Sequence, residues 1–317
     1  MSTHNRFSGV GGVDGSLQFE LNNGENTGPG HATTLQFYGN YLTTRSTIAD
    51  LIAAGVYASV RSCGGPVIPL RLGRVDAVAA GLFGVPQPQN SASTFRNQFD
   101  RMGFTQTEMI QMVACGHTLG SVHSTEFPQI VPAAVGQMPF DTSRAAFDNK
   151  VAAEYVDGTT TNPLGTFSGP GAAAGRNSDF KVFNSDGNAT IRAMVDATAF
   201  RNTCQTVLQK MIDVVPSGVT LTDPIVPYAV KPVGMQLTLN SGGTTFALSG
   251  SIRVRTTSLP ASSITNIVLT WKDRNGGNSC GSSATCSTTA TLQGVATGFD
   301  DSFAVCSTFP NSMARWH

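Results

Sequence analysis

Residues 106–123, QTEMIQMVACGHTLGSVH, decide how this chain is read. Met109, Val113 and His117 recur every four residues, so a helix carries all three on one face. Thr105 and Glu108 stand at capping-box spacing and open that helix. His117 therefore falls on the buried side, late in the helix, between Gly116 and Gly120. A lone histidine on an apolar face is more often a satisfied core residue than a ligand, so the rest of the chain has to decide.

Working outward, STIADLIAAGVYASV at 46–60 predicts a second helix, with Thr47 and Asp50 at its start. CGGPVIPLRLGRVDA and GVPQPQ break regular structure with Gly and Pro. Residues 1–34 and 158–178 read as loop, SDFKVFNSD as a short strand or hairpin, and about Asn188 to Asp213 as one further helix. Beyond DPIVPYAVKP, stretches such as MQLTLNSGGTTFALSGSIRVRTT alternate apolar and polar residues between turns. The expected organisation is thus a helical domain over 1–222, a linker over 223–232, and a small all-β, sandwich-like module over 233–317. The fold class is read as mainly α.

Charged residues make up only 13% of the 317 and the formal net charge is zero, which argues against a nucleic-acid surface or a polybasic membrane patch. No apolar run is long enough to span a membrane, and the opening MSTHNRFSGVGG is not a signal peptide. The six cysteines include no CxxC pair, which argues against zinc, and mildly favour an oxidising compartment. Cys280 and Cys286 could close a small disulfide loop. Asn188-Ala189-Thr190 is a glycosylation sequon, a pattern frequent by chance.

VACGHTLG, GRVDA, GVPQPQ, PFDTSRAAFD and FNSDGNAT together resemble the plant, fungal and bacterial haem peroxidases, most closely the secreted fungal branch, over roughly residues 9–212. The resemblance implies haem b with His117 as its axial ligand, Phe140 as the proximal aromatic, and Asp186 as the carboxylate that bonds the ligand's other nitrogen. It implies a proximal calcium held by Thr118, Asp141, Ser143, the Ala146 carbonyl and Asp148. A distal calcium would use the Gly12 carbonyl, Asp14 and Ser16 of an incomplete set. Glu20 and Asn26 fall where the family has a buried Glu and an Asn that orients the distal histidine. Cys63 would be unpaired, and Cys204 would bond Cys280, Cys286 or Cys306.

The family's distal His and Arg, which cleave peroxide, lie on a helix expected before Met1. His4 has no Asp after it and no Arg before it, and is not expected to replace them. Met112 and His123 stand where some lignin-degrading members carry a surface Trp and a manganese carboxylate, so neither specialisation is expected. The implied function is a hydrogen-peroxide oxidoreductase acting on small, phenolic or aromatic donors: a secreted monomer, metal-binding and linked to oxidative stress, its activity in doubt for want of the distal pair. The alternative is a non-catalytic remnant serving as a binding or structural protein.

Overall fold

The computed structural model describes residues 1–243, 245–272, 276–277, 286–308 and 314–315. They form two compact units, Met1–Ile225 and Val226–His317.

The first unit contains helices α1 (Gly30–Gly39), α2 (Ile48–Ser62), α3 (Ala92–Arg101), α4 (Gln106–Gly116), α5 (Lys150–Asp157), α6 (Pro170–Ala173), α7 (Ser178–Phe183), α8 (Ala189–Ala193) and α9 (Ala197–Ile212). A two-stranded ribbon, β1 (Ser121–His123) with β2 (Gln137–Pro139), follows α4. The capping box of α4 forms as the sequence predicts: Thr105 Oγ1 accepts from the Glu108 amide at 3.2 Å, and Glu108 accepts from the Thr105 amide at 2.8 Å. α4 is the central helix, packed on α3, α7, α8 and α9, with Met109, Ile110, Ala114 and Cys115 fully enclosed. Each large apolar side chain enclosed this way stabilises the fold by about 1.5–3 kcal/mol. Met112 is buried as well, so it is not a surface position.

α2 is held from outside itself. Thr47 caps it through the Asp50 amide, while Asp76 accepts from the amides of Ile48 and Ala49 at 3.0 and 2.8 Å. Asp50 does not complete a capping box; it turns to Arg74, whose Nη1 donates to it at 2.9 Å. The other end of the same guanidinium donates to the carbonyl of Ile212, at the end of α9, at 2.7 Å. The GRVD segment thus ties the start of α2 to the end of α9.

Several expectations are corrected. SDFKVF is helix α7, not a strand or hairpin, because Asp179, Val182 and Phe183 all turn inward at helical spacing. The single helix over 188–213 is two, α8 and α9, broken where Asp196 caps the Ala199 amide at 2.8 Å. Cys204 bonds Cys115, joining α9 to α4 across 89 residues, and not one of the later cysteines. The two helices pack together and bring the sulfurs within reach, and such a crosslink stabilises by about 2–4 kcal/mol. Cys63 and Cys306 are free. The expected Cys280–Cys286 loop involves Cys280, outside the described residues.

The second unit is a single antiparallel sheet ordered β3 (Val230–Leu239), β4 (Thr245–Arg255), β7 (Ser302–Thr308), β6 (Ser287–Thr297), β5 (Ile267–Thr270), with β8 (Ala314–Arg315) also pairing with β4. It is one curled sheet rather than a sandwich: the alternation in the sequence predicts strands but not the number of layers. β3 begins inside the expected linker 223–232, and Ile225 still bonds Leu70 in the first unit. The fold as a whole is mixed α/β, 32% helix and 17% strand, and not mainly α. The reason is that residues 117–149 and 158–177 are mostly loop and ribbon, while residues beyond 225 add strand.

Candidate functional site

α4 ends at Gly116, and His117 is its C-cap, with the His117 amide still bonded to the Val113 carbonyl at 2.8 Å. That places the imidazole at a helix end rather than mid-face. Gly120, with φ +93°, turns the chain out into β1, a backbone conformation few other residues adopt. Its role is this turn. A side chain at Gly116 would meet nothing within 4 Å, so Gly116 leaves the space beside the helix open.

The His117 ring is fixed from two directions. Phe140 lies parallel to it, centroids 4.2 Å apart and 5° between planes. Nδ1 meets Asp179 Oδ2 at 2.8 Å. Asp179 is fully buried, and its Oδ2 also accepts from Asn162 Nδ2 at 2.8 Å. The expected partner, Asp186, is instead engaged by Thr190, whose amide and hydroxyl donate to Oδ2 at 3.0 and 2.5 Å. Asp186 ends the short 3-10 turn Asn184–Asp186 that precedes α8. Two Ser-Asp pairs, 178/179 and 185/186, stand seven residues apart, and only the first lies on the face of α7 that turns to His117. Asn162 was not a sequence candidate; an isolated Asn in a Gly/Thr-rich loop carries no periodic signal.

Among the described residues, Nε2 of His117 has no hydrogen-bond partner. The ring borders a cavity of about 680 Å³, whose walls include Val113, Phe127, Ile130, Phe140 and Leu164 and whose rim includes Thr27–Gly30 and Thr33 at the start of α1. That volume lies within the range of small-molecule and cofactor sites. Burial works against the imidazolium, but the charge of Asp179 and its hydrogen bond outweigh it, so the ring holds its second proton above the ordinary 6.5. A raised folded value adds stability that is fully present below the unfolded value and is lost as pH rises through the folded one. The urea midpoint of the cofactor-free chain is therefore expected to fall as pH rises above the ordinary 6.5, and to fall less in His117→Gln. Equal slopes in the two proteins would contradict the pair's geometry.

Behind His117, Thr118, Asp141, Ser143 and Asp148 come together. Ser143 Oγ donates to Asp141 Oδ1 at 3.2 Å and to Asp148 Oδ1 at 3.0 Å, and Thr118 Oγ1 donates to the Asp148 carbonyl at 2.6 Å. Ala146 closes the turn, its amide bonded to the Ser143 carbonyl at 2.7 Å. Asp141 is fully buried and its Oδ2 has no partner. Burial, with Asp148 and Glu154 adding to it, raises its carboxyl above the usual range against the opposing bonds from Ser143. A buried carboxylate oxygen without a donor can be satisfied by a proton or by a cation.

The distal candidates Asp14, Ser16 and Glu20 are all buried, and Ser16 and Glu20 both lie beside Gly81. Asp14 Oδ1 accepts from the Ser16 amide at 3.1 Å, and Gly12 packs against the Val214 carbonyl with φ +131°. Asn26 Nδ2 donates to the Glu20 carbonyl at 3.1 Å, while Glu20 Oε1 accepts from the Gly81 amide at 2.7 Å. His4 bonds the Gly11 carbonyl through Nδ1 at 2.9 Å and does not line the cavity. His123 does line it, with Nδ1 3.7 Å from Glu126. Among the described residues no arginine lines it.

The family model described as Peroxidase matches residues 3–214. A WSC domain-containing protein of Arthroderma benhamiae is 54% identical over 96% of this chain, which spans 42% of that protein. Peroxisomal L-ascorbate peroxidase 5 of Arabidopsis thaliana is 31% identical over 49% of this chain and 53% of its own length. Peroxidase 40 of the same plant is 30% identical over 40% of this chain and 42% of its own. With two thirds of its length matched by that family, and a histidine held by a buried aspartate at the wall of a cofactor-sized cavity, the chain belongs to the haem peroxidase superfamily.

Proposed function

We propose that this chain binds haem b in the 680 Å³ cavity through His117 Nε2, and that it serves hydrogen-peroxide-dependent oxidation of small aromatic donors. The observation that carries this reading is the His117–Asp179 contact at 2.8 Å beneath the Phe140 ring. When bound, the haem supplies the two-electron chemistry with peroxide. The protein's part is orientation. Asp179 accepts the hydrogen bond from Nδ1–H, directs Nε2 to the cavity and raises its basicity; Asn162 holds Asp179; Phe140 stops the ring from rotating.

A calcium ion held by Thr118, Asp141, Ser143, the Ala146 carbonyl and Asp148 would satisfy the orphaned Asp141 oxygen. Gly12, Asp14 and Ser16 offer a second, poorer set with one carboxylate. The Cys115–Cys204 disulfide supports secretion into an oxidising compartment.

Fast peroxide cleavage needs a base and a positive charge beside the peroxide. Among the described residues, the cavity offers His123 and Glu126, 3.7 Å apart, for the first, and no arginine for the second. Haem-loaded chain is therefore expected to oxidise guaiacol with peroxide orders of magnitude more slowly than enzymes of this class. The same observation favours a second reading, a haem-binding protein without turnover. A fast reaction would overturn that second reading. Turnover that survives His117→Ala would overturn the first.

A further inference from the structure

A second cavity, of about 370 Å³, opens between α5, the 160–168 loop, α7 and α8. It shares no lining residue with the cavity at His117. Its walls are aromatic on two sides, with Tyr155 on one and the Phe167–Phe180 pair, centroids 6.4 Å apart, on the other. Phe167 is 81% exposed, although apolar rings of that size are normally enclosed. The Arg192 side chain stands at the same cavity and, among the described residues, makes no hydrogen bond or ion pair, and no carboxylate among them lines the cavity with it. The Tyr155 hydroxyl is committed elsewhere, donating to Asn188 Oδ1 at 3.0 Å. Burial, helped by the charge of Asp179, pushes that phenol up to about 12, so it stays protonated.

We propose that this cavity binds a small aromatic carboxylate of the hydroxycinnamate or hydroxybenzoate type. The carboxylate would pair with the Arg192 guanidinium, whose fork matches its two oxygens. The ring would lie against Phe167 and Phe180 and cover apolar surface now facing water. The volume suits a single ring with a short side chain. Polar contacts for a ring hydroxyl are available from Thr160, Thr166 and Ser168. The site does not depend on haem, so it stands or falls apart from the proposed function.

The test is isothermal titration of the haem-free full chain with 4-hydroxycinnamate. One saturable site is expected. Arg192→Gln should weaken it about tenfold or more, since a charge-assisted pair contributes at least that much. Phe167→Ala should weaken it severalfold, Arg192→Lys should recover part of the loss, and uncharged 4-hydroxycinnamyl alcohol should bind at least about tenfold less tightly. Thr33→Trp, which fills the mouth of the first cavity, should leave the affinity unchanged. The proposal is overturned by wild-type affinity in Arg192→Gln, by equal affinity for the alcohol, by loss of binding in Thr33→Trp, or by no saturable binding at millimolar concentration.

Discussion

Replacing His117 by alanine is expected to remove specific haem binding, lowering affinity by more than the roughly 10–100-fold typical of losing an outer-shell partner alone. His117 is a ring at the cavity wall that is oriented by a buried aspartate and whose Nε2 has no partner among the described residues. Its removal also strands Asp179, which is fully buried and would keep only Asn162 and Ser178 as partners. The measurement is a haem titration followed by the Soret band. The wild-type chain should give one saturable site with a ferric spectrum, and His117→Ala only the broad spectrum of loosely associated haem. Asp186→Ala is the informative control. It removes the Thr190 contacts at the head of α8, costing about 0.5–2 kcal/mol of stability, and should leave the Soret titration unchanged. If Asp186→Ala and His117→Ala behaved alike, the assignment of the pair would be wrong.

The largest expected stability effect lies far from the cavity, at Arg74. Its side chain is fully enclosed and its partner Asp50 is 5% exposed. Arg74→Met keeps much of the side-chain volume but leaves the Asp50 carboxylate with backbone donors alone, at 3.0 and 3.2 Å from Gly73 and Arg74. It also strips the Ile212 carbonyl of both its guanidinium donors. Breaking one side of a buried pair costs about 3–5 kcal/mol, a large fraction of the total stability of a domain. Urea unfolding should show that loss. The exposed pair between Arg6 and Asp100, at 46% and 57% exposure, gives the contrast: Arg6→Ala should cost about 1 kcal/mol or less. A loss at Arg74 no larger than at Arg6 would contradict the role given to the GRVD segment.

What could be read from the sequence was local. The α4 helix, its capping box and His117 are written into the thirteen residues from Thr105 to His117, and Asp141 to Asp148 form one tight loop next to Thr118. Their geometry depends on neighbours in the chain, so a local motif finds the helix and its histidine, and the resemblance implies the loop set. Asp179 was missed because the two Ser-Asp pairs look alike until α7 is known to be a helix facing His117. The Cys115–Cys204 bond was missed for a related reason: it records the packing of α4 on α9, and nothing local to either cysteine encodes it. In the second unit, alternation announced strands, but a single sheet and a sandwich share that pattern.

The central claim is that a histidine pre-oriented by a buried aspartate holds haem iron in this cavity. The most direct measurement is resonance Raman spectroscopy of the ferrous, haem-loaded chain. An iron–histidine stretching band is expected in the wild-type protein and should be absent in His117→Ala. It should move to lower frequency in Asp179→Asn, because a weaker acceptor at Nδ1 leaves the imidazole less basic at Nε2. No iron–histidine band in the wild type, or a band that Asp179→Asn leaves in place, would contradict the account.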